Sequence, residues 1–128
     1  MIQSVVKTDR FWSDLPWEPG GKELYKFIKQ NKFRFSSISF LTAPLKSDPR
    51  CVSQKQEWIM TNFKNIHLDA FYADSKKWDY VGKQEGELQI LIDDRPKNIS
   101  KWKANSGFGI LHNSKNYEST ISKLKELF

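Results

Sequence analysis

"LQILIDDRPKNISKW", residues Leu88 to Trp102, carries an apolar run into two adjacent carboxylates, an arginine and a proline, and then changes period. The run "LQILI" is short and nearly all apolar, which suits a strand covered on both sides, as interior strands of parallel sheets are. After Asp94, a proline near the start, Ile99 and Trp102 on one side and Gly107 at the end bracket a helix. Strand and helix in direct succession are half of a β–α–β unit. Asp93 and Asp94 then fall at the carboxyl end of a strand, where open parallel sheets bind their ligands.

The rest of the chain repeats the alternation. "WEPGG" (Trp17 to Gly21) reads as a turn, and "KELYKFIKQ" after it places Leu24, Phe27 and Ile28 at helical spacing. "FSSISFLTAP" (Phe35 to Pro44) suits a buried strand that Pro44 stops. "SQKQEWIMTNF" follows as a helix with Trp58, Ile59 and Phe63 on one face, and "NIHLDAF" (Asn65 to Phe71) as a strand. "FGILH" (Phe108 to His112) is a last strand, and "YESTISKLKELF" a last helix with Ile121, Leu124 and Phe128 in register. The expected fold is α/β: a three-layer α/β/α sandwich around a mostly parallel, Rossmann-like sheet. With 128 residues, no repeat and no long linker, one domain over residues 1–128 is expected.

Composition narrows the function classes. No apolar stretch approaches the roughly 20 residues of a membrane span, and "MIQSVVKTDR" lacks the features of a signal peptide. Cys51 is the one cysteine, so no intrachain disulfide forms. A cytoplasmic protein without a membrane partner is expected. The net charge of +6 favours anionic partners. Its lysines, however, recur as Lys22, Lys26 and Lys29, then Lys97, Lys101 and Lys103, then Lys123 and Lys125, as on the solvated faces of separate helices. That spacing argues against nucleic acid as the partner. Trp12, Trp17, Trp58, Trp78 and Trp102 read as core or hinge packing, and His67 and His112 as structural.

If "ISFL" and "LQILI" are neighbouring parallel strands, Thr42, Asp93 and Asp94 emerge at one edge, with Lys83 in the loop leading into the second strand. A hydroxyl, a cation and a carboxylate pair suit a phosphate and a hard cation. The competing reading is local: a Thr before a turn caps it, a Lys in a polar loop is solvated, and "DD" before a helix is an N-cap.

"FLTAP", "QKQEWI", "LQILIDDRPKNISKW" and "GFGILH" together resemble the haloacid dehalogenase superfamily, most closely its 5'(3')-deoxyribonucleotidase branch. The resemblance runs from about Phe11 to Leu111, and residues 1–18 resemble what remains of a cap and its linker. It implies that Thr42 binds the phosphoryl group and that Lys83 balances charge, with Lys76 and Lys77 as competitors for that role. Asp93 and Asp94 would hold Mg²⁺, and the substrate would be a nucleoside monophosphate or another phosphate ester. The superfamily's chemistry also needs a nucleophilic aspartate and an acid/base aspartate two residues on, and this sequence contains no Asp-x-Asp pair. Without the nucleophile, phosphate can be bound and polarised but no aspartyl-phosphate forms. The architecture therefore reads as truncated at the N-terminus, lacking its central strand. Ile2 to Val6, a second copy or a complementing chain is expected to fill that place. The alternatives are a non-catalytic nucleotide-, phosphate- or protein-binding regulator on this scaffold and a small basic nucleic-acid binder.

Overall fold

The computed structural model describes residues 15–64, 70–81 and 88–128. In chain order its elements are α1 (Gly21–Gln30), β1 (Ser39–Thr42), α2 (Cys51–Asn62), β2 (Ala70–Ala73), β3 (Ile90–Asp93), α3 (Pro96–Ala104), β4 (Phe108–Leu111) and α4 (Tyr117–Glu126). Two 3-10 turns, Lys32–Arg34 and Lys77–Tyr80, complete them. The fold is mixed α/β, and both strand pairings are parallel, β1 with β2 and β3 with β4. Among the described residues no helix is long and apolar enough to cross a membrane. The chain divides into two compact units, Met1–Trp17 with Phe35–Ser75 and Glu18–Arg34 with Lys76–Phe128. Each holds one β–α–β crossover.

In the first unit β1 and β2 run in register from Ser39 opposite Ala70 to Thr42 opposite Ala73, and Asp74 N extends the ladder by donating to Thr42 O at 2.8 Å. Asp48 starts the connecting helix: its buried Oδ1 accepts from Arg50 N at 3.0 Å and Arg50 Nε at 3.1 Å, fixing the turn before α2. The helix buries Cys51 and Ile59. Aromatic rings supply most of the packing: Phe40 stacks on its cross-strand partner Phe71 at 5.9 Å, and Trp17 meets both Trp58 (4.9 Å) and Phe63 (5.6 Å). The Trp58 indole donates to Leu15 O at 2.7 Å, so its polar end is satisfied. The regular strand is shorter than the expected Phe35–Pro44, and of the expected Asn65–Phe71 strand the first five residues lie outside the described residues.

In the second unit β3 and β4 pair from Ile90 opposite Phe108 to Asp93 opposite Leu111. His112 N, donating to Asp93 O at 2.8 Å, carries the ladder one residue past β4, which accounts for the expected strand end at His112. Leu91 and Asp93 are buried while Ile90 and Ile92 are half-buried, so β3 alternates more than its near-uniform apolarity suggests. Pro96 opens α3, where its missing N–H costs nothing, and Asn98, Ile99 and Trp102 face inward. The helix ends as the spacing predicts: Ser106 adopts a left-handed φ of 70°, and Gly107 N donates back to Trp102 O at 3.0 Å. Gly107 is required there, because a Cβ would enter the Trp102 indole against Nε1 and Cδ1. The "WEPGG" turn ends in Gly20, whose φ of 80° leads into α1. Phe27 of α1 and Phe128 stack at 5.9 Å, with Arg34 over Phe128 at 4.7 Å. Ile2 to Val6, the expected filler of a central strand position, lies outside the described residues.

Candidate functional site

The second unit places a carboxylate where the sequence does, at the carboxyl end of β3. Asp93 is 6% exposed and is held by three donors. Its Oδ1 accepts from Arg95 N at 3.0 Å, an Asx-type turn that leads into α3. Its Oδ2 accepts from Lys77 Nζ at 2.8 Å and from Asn98 Nδ2 at 3.0 Å. The side chains of the ion pair are 13% (Lys77) and 2% (Asp93) exposed, so little water reaches it. Burial pushes the Asp93 carboxyl upward. The Lys77 hydrogen bond, the Arg95 N–H, the Lys77 charge and the Asn98 amide together outweigh that and hold it below the ordinary carboxylate range. Asp93 is therefore ionised at neutral pH, and Lys77 neutralises it while keeping two N–H donors for another anion.

The other expected residues fare differently. Asp94, next in the chain, is exposed. Lys83 lies outside the described residues; the cation seated on Asp93 is Lys77, named in the sequence as its competitor. Thr42 closes β1 in the first unit, 8% exposed, and its Oγ1 accepts from Lys55 Nζ at 3.0 Å. Lys55 also donates to Ala43 O at 3.0 Å, so the strand end around Thr42 has its own ammonium, and the Thr42 hydroxyl proton remains to donate elsewhere. Thr42 thus belongs to one unit and Asp93 with Asp94 to the other.

Two contributors escaped sequence reasoning. Lys55 falls midway between Cys51 and Ile59, four residues from each, on the inward stripe of α2, and a lysine in that register is the signal that could have found it. Asn98 likewise sits beside Ile99 on the buried face of α3, where a polar residue needs a partner.

Mg²⁺ makes demands that this donor set does not meet. A hard divalent cation takes six or more oxygen ligands, several of them anionic or water. Both Asp93 oxygens already accept protein hydrogen bonds, Oδ2 from an ammonium group. Among the described residues no three His, Cys, Asp or Glu side chains gather as a metal cluster would. The described residues do not fit Mg²⁺ on their own. What the pair can do is offer a fixed ammonium to an anionic oxygen at the end of a parallel strand.

Comparison of the chain with protein-family models, with characterised proteins and with solved structures found no match.

Proposed function

We propose that the chain is a phosphatase-type domain of the haloacid dehalogenase kind, related to 5'(3')-deoxyribonucleotidases, that binds phosphate monoesters and does not turn them over by itself. The observation that carries this reading is the Lys77–Asp93 ion pair, 2.8 Å long and nearly buried at the carboxyl end of β3. Its support is chemical. A strand-end carboxylate that binds a lysine and an asparagine at one oxygen keeps an ammonium in a fixed place, which a mobile surface lysine does not do. A nucleoside monophosphate is the ligand class that the resemblance implies. In this reading the helices cover a Rossmann-like parallel sheet on both faces, as a three-layer sandwich.

The lack of turnover follows from the sequence. No Asp-x-Asp pair supplies a nucleophile with its acid/base partner, and Asp93, committed to Lys77, Asn98 and Arg95 N, is not free to attack phosphorus. A second polypeptide carrying the aspartates and Mg²⁺ ligands would complete the chemistry.

The test compares wild type with Asp93→Asn for binding and hydrolysis of deoxyribonucleoside monophosphates and an aryl phosphate with Mg²⁺. Binding by the wild type, weakened at least tenfold in the variant and unaccompanied by hydrolysis, is expected. Hydrolysis that Asp93→Asn abolishes would overturn the claim of no turnover. Absence of any phosphate-ester binding would leave the ion pair a purely structural device.

A further inference from the structure

Two lysines of α3 converge on one indole. Lys97 and Lys101, four residues apart and so on one face of the helix, hold their ammonium groups 5.8 and 4.2 Å from the Trp78 ring centroid. Trp78 lies half-buried in the 3-10 turn, and both lysines are exposed. No ion pair joins either to a carboxylate among the described residues. Asp79 and Asp94 are exposed acids close by in sequence, and Arg95 and Lys103 add exposed positive charge along α3. Like charges held over one ring repel, and an anion placed between them would relieve that repulsion.

The charge of the whole chain points the same way. The first unit holds six basic and six acidic residues, the second fifteen basic and nine acidic, so the entire net charge of +6 belongs to the second. A basic surface beside an aromatic ring is the makeup of single-strand binding sites.

We propose that this face of α3, with Trp78 as its stacking platform, binds single-stranded nucleic acid, a partner that the helical spacing of Lys97, Lys101 and Lys103 alone argues against and that the convergence of two of them on the Trp78 ring favours. Lys97 and Lys101 move from the ring to a backbone phosphate, and the ring they leave takes a base. The exchange favours the nucleic acid because an indole holds a base more strongly than an exposed ammonium ion, and the ammonium groups gain a phosphate. A duplex offers phosphates without open base faces, and an acidic peptide offers carboxylates without bases, so neither uses the indole. Lys77 stays on Asp93 and takes no part, which makes this inference independent of the phosphate-ester reading.

The experiment follows fluorescence anisotropy of a labelled oligothymidylate titrated with the full chain at several salt concentrations. Three variants are compared: Lys97→Gln/Lys101→Gln, the equal-charge control Lys115→Gln/Lys123→Gln, and Trp78→Leu, each checked for folding by circular dichroism. In the first, the slope of log affinity against log salt should fall by about 0.7, the value for the one backbone phosphate no longer neutralised. The control should keep the wild-type slope. Trp78→Leu should weaken binding on the order of tenfold without changing the slope. Should Trp78→Leu unfold, Trp78→Phe keeps the apolar packing and should weaken binding several-fold. Equal losses in the two lysine variants would reduce the effect to net charge and overturn the proposal. So would binding indifferent to Trp78, competition by polyglutamate or duplex as effective as by the single strand, or no binding at all.

Discussion

Replacing Asp93 by Asn removes one negative charge and almost no volume, so the consequence is electrostatic and not a cavity. The amide can still accept from Arg95 N through one oxygen, but its NH₂ group then faces the Lys77 ammonium and the Asn98 amide, both donors aimed at Oδ2. Breaking a buried pair from one side costs about 3–5 kcal/mol, and the 13% exposure of the Lys77 side chain places this case near the lower end, about 3 kcal/mol. Lys77→Met strands the carboxylate instead. There the Asn98 and Arg95 donors remain, so about 2 kcal/mol is expected, the scale of one lost hydrogen bond to a charged group. The double variant should lose about 3 kcal/mol, less than the sum, because neither partner is left charged and alone; the coupling is then about 2 kcal/mol. Urea unfolding followed by far-ultraviolet circular dichroism measures all four stabilities. Singles that each cost under about 1 kcal/mol, or a double that equals their sum, would show an ion pair open to water. The proposed function would then lose the observation on which it stands.

Two further outcomes follow from the same unit. The Asp93 carboxyl is held below its ordinary value, so its contribution is fully present above the unfolded pKa of about 3.9 and is lost as pH falls through the folded value. The stability gap between wild type and Asp93→Asn should therefore be flat from about pH 6 to 5 and shrink on acidification below about pH 4; a gap that widens there would contradict the assigned shift. Gly107→Ala puts a methyl group into the indole of Trp102, which is 5% exposed and donates Nε1 to Gln89 O at 3.1 Å. The ring has to shift and that bond weakens, a loss of about 3 kcal/mol in the same urea assay; a loss under about 0.5 kcal/mol would mean that the end of α3 has room to spare.

Much of this architecture was legible because its punctuation is local. Pro96, Gly107 and the stripe of Ile99 and Trp102 bound α3 in the sequence as they do in the fold, and "WEPGG" turns where Gly20 takes its positive φ. The parallel pairing also followed from the order of elements. The site was harder to read because its cation comes from a turn 16 residues before Asp93, and counting along the chain does not rank Lys76, Lys77 and Lys83. Only the fold of the 3-10 turn against α3 selects Lys77. Lys55 was hidden for the opposite reason. Its neighbours Gln54 and Gln56 make the segment look polar, although its register with Cys51 and Ile59 directs it inward toward Thr42.

Asp93 does more than fix the start of α3, since a turn at a helix start and a fixed ion pair make different demands on the carboxylate. Fixing the start of α3 needs one acceptor, and Oδ1 meets that need through Arg95 N. An Asx-type turn of this kind is satisfied by a solvated Asp or Asn and does not call for a nearly buried cation. Lys77 and Asn98 both converge on the other oxygen, at 2.8 and 3.0 Å, and desolvating a lysine there costs free energy that the turn does not repay. The excess lies in Oδ2, so that oxygen and the ammonium it fixes carry the functional argument, while Oδ1 and the "DD" spelling carry the structural one. The coupling between Asp93 and Lys77 measures the first separately from the second.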